Sequence, residues 1–78
     1  METRTFTDDA GRRWAGSIIS GRFAGGEEQA EVVFVCEDVP SETKRFARIE
    51  VPPAEAAERW RALDEGAVRE LFRASEPA

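Results

Sequence analysis

Histidine is absent from this 78-residue chain, and cysteine occurs once, at Cys36. The first absence removes the commonest general acid and base of enzyme sites. Together the two exclude a structural zinc site, which takes several Cys or His ligands. A single cysteine also excludes an intrachain disulfide and suits a reducing compartment. A chain of this length builds a small core, and small domains usually lean on disulfides, a metal or a partner. With two of these removed, tight packing or association with another subunit is left. Long apolar runs are missing too. The longest, Val32–Cys36, has five residues, against the roughly 20 that a membrane helix needs. Residues 1–10 carry four charges and no apolar stretch of signal length. The expectation is one soluble, cytoplasmic domain with no membrane contact.

Lysine is nearly absent: Lys44 stands against ten arginines. That bias resembles GC-rich bacterial coding sequence and has no functional meaning of its own. Positive charge is outweighed overall, with a net charge of −5. Residues 1–39 hold four arginines against eight acids. Such a balance argues against non-specific binding to phosphate backbones. No glycine-rich phosphate cradle is present, since Gly25-Gly26 is followed by Glu27-Glu28, which repel phosphate. There is no internal repeat, low-complexity tract or interdomain linker, so residues 1–78 form a single domain.

The chain contains strand signals first and helix signals last. Arg4–Thr7 is a short strand around Phe6, closed by the turn residues Asp8-Asp9-Ala10-Gly11. Arg12–Phe23 is a second strand, in which Gly16 and Gly21 suggest bulges or bends. Gly25 to Gln29 forms a polar turn. Ala30–Glu37 is the clearest strand, rich in β-branched residues and Phe. Asp38–Thr43 is a loop, and Lys44–Val51 a fourth strand. Short polar connections favour an antiparallel meander.

Pro52-Pro53 ends the sheet, and Pro53 suits the first position of a helix. Ala54–Leu63 is helical, with Glu55 and Arg59 in i,i+4 register. An unbroken helix to Ala74 would place Asp64 on the apolar face, where an unpaired carboxylate is costly. A break is therefore expected, with Asp64 as N-cap of a second helix, Glu65–Ala74, that buries Val68, Leu71 and Phe72. Ser75–Ala78 should fray. The fold expected is α+β: a four-stranded antiparallel β-meander over about residues 4–51, followed by one or two C-terminal helices over about 54–74, packed on one face.

Val32–Cys36 is apolar at every position. Alternation puts Val32, Phe34 and Cys36 on one face and Val33 and Val35 on the other. The helices can cover one face only. The other is expected to show Val33 or its counterpart, with Val35, Trp14, Ile18 and Phe46. An exposed apolar patch of that kind marks an interaction surface. The alternative is a strongly curled sheet that closes the second face on itself. A homodimer is the simplest occupant, because two copies of one patch can be self-complementary.

No catalytic constellation emerges. Ser17, Ser20, Ser41 and Thr43 have no base nearby in sequence, and Cys36 sits among apolar residues where a thiol is inert core. Asp8-Asp9, Glu27-Glu28 and Glu37-Asp38 read as solvated turn charges. Asp8-Asp9 offers hard oxygen ligands to a divalent cation but lacks the ordered spacing of a calcium loop. The helical charges from Glu55 to Arg73 alternate in sign, as on a solvated face. One basic and aromatic set remains: Trp14, Lys44, Phe46 and Arg48. On one open sheet face it would form a stacking platform for single-stranded nucleic acid. If Trp14 and Phe46 are core or interface, arginine stems simply cover them.

The segment Phe6-Thr7-Asp8-Asp9-Ala10-Gly11-Arg12-Arg13-Trp14 resembles the start of small bacterial proteins that open F-x-D-x-x-G-R-x-W. Trp60-Arg61-Ala62-Leu63 through Val68-Arg69-Glu70-Leu71-Phe72 is similar to their closing W-x-x-L-x-x-x-x-L-R-x-L helix, with Val68 in place of one Leu. The stretch between has no counterpart, and the resemblance implies no activity. The function expected is a non-enzymatic protein-interaction module, homodimeric or part of a larger assembly, with no cofactor and no metal. The surface expected is Trp14, Ile18, Val33, Val35 and Phe46. The alternative is a single-stranded nucleic-acid-binding domain that uses Trp14, Lys44, Phe46 and Arg48.

Overall fold

The computed structural model describes residues 3–22, 28–49 and 51–77. Phe23 and most of the polar turn expected around Gly25-Gly26 lie outside these residues, as does Glu50. Strands β1 (Thr3–Thr7), β2 (Arg13–Arg22), β3 (Glu28–Cys36) and β4 (Arg45–Ile49) form an antiparallel meander. Helices α1 (Pro53–Ala62) and α2 (Glu65–Arg73) follow, and a two-residue strand β5 (Glu76–Pro77) adds to β4. The α+β meander with helices on one face is therefore the fold. Among the described residues no helix is long and apolar enough to cross a membrane.

The β1–β2 turn is built by one side chain. Asp8 Oδ1 accepts from the backbone N–H groups of Ala10 and Arg12, both at 2.9 Å. Gly11 takes a positive φ of 82°, a conformation that favours glycine. Asp8 Oδ2 accepts from Trp14 Nε1 at 2.7 Å, so the turn also satisfies the buried indole.

Pairing runs without interruption from Trp14↔Cys36 to Arg22↔Glu28, so neither Gly16 nor Gly21 marks a bulge. Gly16 has a different reason to be glycine. A Cβ there would lie 2.9 Å from Phe34 Cε1 and 3.1 Å from Trp60 Cη2. Two rings rest directly on that backbone, a close approach that only glycine permits.

The core fills the space between the sheet and the helices. Phe6, Trp14, Ile18, Val32, Phe34 and Cys36 meet Ala56, Trp60 and Val68 there. Phe72 joins the aromatic members, with ring centroids 4.8 Å from Trp14 and 5.3 Å from both Phe6 and Phe34. The Phe6 and Phe34 contacts are edge-to-face and the Trp14 contact is tilted; edge-to-face pairs each add about 0.5–1.5 kcal/mol beyond area burial. The expected break at Asp64 is present: its carboxylate accepts from Ala67 N at 2.7 Å and caps α2. Pro53 opens α1 with no intrahelical N–H forgone.

The end of the chain differs from expectation. Ser75 is buried rather than frayed. Arg45 donates through Nε to Ser75 Oγ at 2.8 Å and through a terminal nitrogen to the Ser75 carbonyl. The guanidinium also lies over the Phe72 ring. This clamp aligns Glu76 opposite Phe46 and Pro77 opposite Arg45.

Candidate functional site

The two helices lie on one side of the sheet, so its other face is open. Strand parity and register decide which residues appear on it. Trp14 is opposite Cys36 and Ile18 opposite Val32. These pairs share the parity of Phe34 and turn toward the helices. Trp14, at 4% exposure, and Ile18 are therefore core. Both were expected on the interaction surface. Their placement follows from a register that puts even-numbered residues of β2 and β3 on the same side.

Val33, Val35 and Phe46 do reach the open face. Val33 stands between Ser17 and Phe46, and Val35 beside Ala15. Val33 and Phe46 are half-buried, while Val35 is 38% exposed on β3, one residue past the end of the ladder with β4. Ala15 and Ser17 extend the patch toward β1, where Thr5 is opposite Ala15 and Thr3 opposite Ser17. Thr3 Oγ1 and Ser17 Oγ share a hydrogen bond at 2.8 Å. The apolar centre is thus bordered by hydroxyls on one flank. On the other, Glu31 and Arg48 are cross-strand neighbours. Ala15, Ser17 and the threonines went unnoticed in the sequence. Their signal was the alternation Thr3, Thr5, Thr7.

The set considered for nucleic acid does not assemble. Phe46 and Arg48 share the open face, and Lys44 is exposed in the loop before β4. Trp14 is on the opposite side of the sheet. The charges around Phe46 include Glu31 and Glu76 as well as Arg48, so the surface is mixed in sign.

The remaining polar clusters are engaged within the fold. Burial alone would raise the Asp8 carboxyl. The N–H of Arg12, the Trp14 indole and the N–H of Ala10, with the charge of Arg12, outweigh burial and hold it below the ordinary value. Asp9 is lowered by its hydrogen bond to Arg73 and by that charge. Arg73 is raised by the same pairing. Both acids of the Asp8-Asp9 pair thus face donors. No group of three or more His, Cys, Asp or Glu side chains converges among the described residues. Cys36 is buried at 2% exposure. A broad groove of about 580 Å³ runs between β4 and the helices. Its lining includes Ile49, Val51, Leu63 and Leu71 with the charged Arg48, Arg59 and Glu70. Comparison with known protein families, curated proteins and solved structures finds no match for the chain.

Proposed function

We propose that this chain is a non-enzymatic protein-interaction module, working as a homodimer or as a subunit of a larger assembly. Its docking surface is the open sheet face of Ala15, Val33, Val35 and Phe46. The supporting observation is Val35: a branched apolar side chain, 38% exposed, opposite Ala15 and next in line on the same face to half-buried Val33, which is flanked by Ser17 and Phe46. An apolar centre with a polar rim is the ordinary anatomy of an interface. The hydroxyls of Thr3 and Ser17 and the Glu31–Arg48 neighbours supply that rim.

The test is size-exclusion chromatography with light scattering. Wild type is expected above the 8.7 kDa of one chain at micromolar concentration. The double variant Val35→Glu, Phe46→Glu is expected at a lower mass, because two desolvated carboxylates oppose docking. A wild type of single-chain mass would remove the homodimer, and an unchanged mass in the variant would move the interface elsewhere.

A further inference from the structure

The open face is one surface, and the outer edge of β1 is another. Backbone geometry fixes what that edge presents. Asp8 N–H donates to Arg12 O at 2.8 Å, and Glu37 N–H donates to Arg13 O at 2.9 Å. These two bonds set the phase of the β1–β2 and β2–β3 ladders, because hydrogen-bonded pairs alternate in antiparallel sheets. Phe6 and Arg4 therefore bond to Trp14 and Gly16 of β2. Thr3, Thr5 and Thr7 direct their N–H and C=O groups away from the sheet. Arg69 supports this phase independently: its Nε donates to Thr7 O at 3.0 Å from outside the edge.

The same phase carried across β3 turns Phe46 and Arg48 of β4 outward. Phe46 already faces Glu76 of β5, and Ala74 at the end of α2 borders the hollow beside Arg48. Pro77 closes that side, and a proline offers no N–H to a further strand. One edge of the sheet is thus guarded; the other is capped by Arg69 at Thr7 O and, among the described residues, unguarded at the backbone of Thr3 and Thr5. Natural sheets guard their edges with lysine, proline, bulges or very short strands. Among its described residues β1 has no lysine or proline, and its pairing with β2 is unbroken. Arg4, its only charge, is turned under the sheet, where it donates to Trp60 O at 2.8 Å and also to Leu63 O.

We infer that the outer edge of β1 pairs antiparallel with β1 of a second copy, about a two-fold axis through Thr5. That register puts Thr5 opposite Thr5 and Thr3 opposite Thr7, and forms up to about six backbone hydrogen bonds, in two of which a Thr7 carbonyl takes a second donor beside Arg69. Threonine pairs across strands are favourable, and no charges meet on the open face. Beneath the sheet, each Arg4 falls opposite Phe6 of the other copy rather than opposite another arginine. A head-to-tail arrangement, β1 onto β4, is obstructed by β5 and α2, so pairing through this edge closes at two chains instead of propagating. The contact is small, so this dimer is a weak one. It is separate from docking on the open face and does not depend on it.

Two readouts test it. In wild type, amide hydrogen exchange at Thr3 and Thr5 is expected to slow at high micromolar concentration and to return to the unprotected rate on dilution. The variant Thr5→Pro removes an N–H that no strand of its own chain uses. It is expected to retain the wild-type circular dichroism and to halve the mass seen by light scattering, both alone and in the Val35→Glu, Phe46→Glu background. Unprotected Thr5 amides at every concentration would overturn the inference, whether or not Thr5→Pro folds. A face variant that is monomeric throughout would also overturn it, while leaving the open-face proposal standing. A face variant with wild-type mass, halved by Thr5→Pro, would sink the open-face homodimer and support the edge.

Discussion

Asp8 serves three donors with one carboxylate: two backbone N–H groups of its own turn and the indole of a core tryptophan. Replacing it with alanine leaves the Trp14 N–H buried without its acceptor. Asp8→Ala is expected to cost about 1 to 2 kcal/mol in urea unfolding at neutral pH, the lower end reflecting solvent screening near the surface. The pH dependence has a definite sign. A carboxyl whose folded value is depressed contributes fully above its unfolded value and loses that contribution as pH falls through the folded one. The gap between wild type and Asp8→Ala should therefore hold above about pH 4 and shrink below it. The turn itself was readable, since acids followed by glycine are local chemistry. The bond to Trp14 was not, because it depends on which side of β2 the indole occupies.

Among the elements, the junction between α1 and α2 shows what sequence periodicity can settle. Asp64 on an apolar stripe was a contradiction that only a helix break resolves, and the break is there. Asp64→Ala is expected to destabilise the fold by about 1 kcal/mol, measured as a lower urea midpoint with unchanged slope. The strands were less legible. Parity within β3 could be read, parity within β2 hinged on whether Gly16 or Gly21 marked a bulge, and the register between the strands could not be read. A one-residue slip would have put Trp14 and Ile18 on the open face in place of Ala15 and Ser17. Gly16 was misread for a related reason. The rings above it come from Phe34 and Trp60, far away in sequence. β5 is two residues long and exists through the Arg45–Ser75 clamp, so no local pattern announced it.

At the scale of the whole molecule, the sheet has one covered face, one guarded edge, one open face and one edge capped at Thr7 by Arg69. Association at either free surface binds the folded chain and not the unfolded one, so it must add stability by mass action. The thermal midpoint of wild type is expected to rise with protein concentration, and a midpoint independent of concentration would contradict self-association of either kind. The fastening of the first strand has another consequence. Arg4 bonds to carbonyls 56 and 59 residues later, Arg69 to Thr7 across 62 residues, and Arg73 to Asp9 across 64. During synthesis on the ribosome, the Arg4 ties must wait for α1 to leave the exit tunnel, and the Arg69 and Arg73 ties for α2. The β1–β2 hairpin must wait, loosely held, for both helices to be made. Vectorial translation gives this fold little head start.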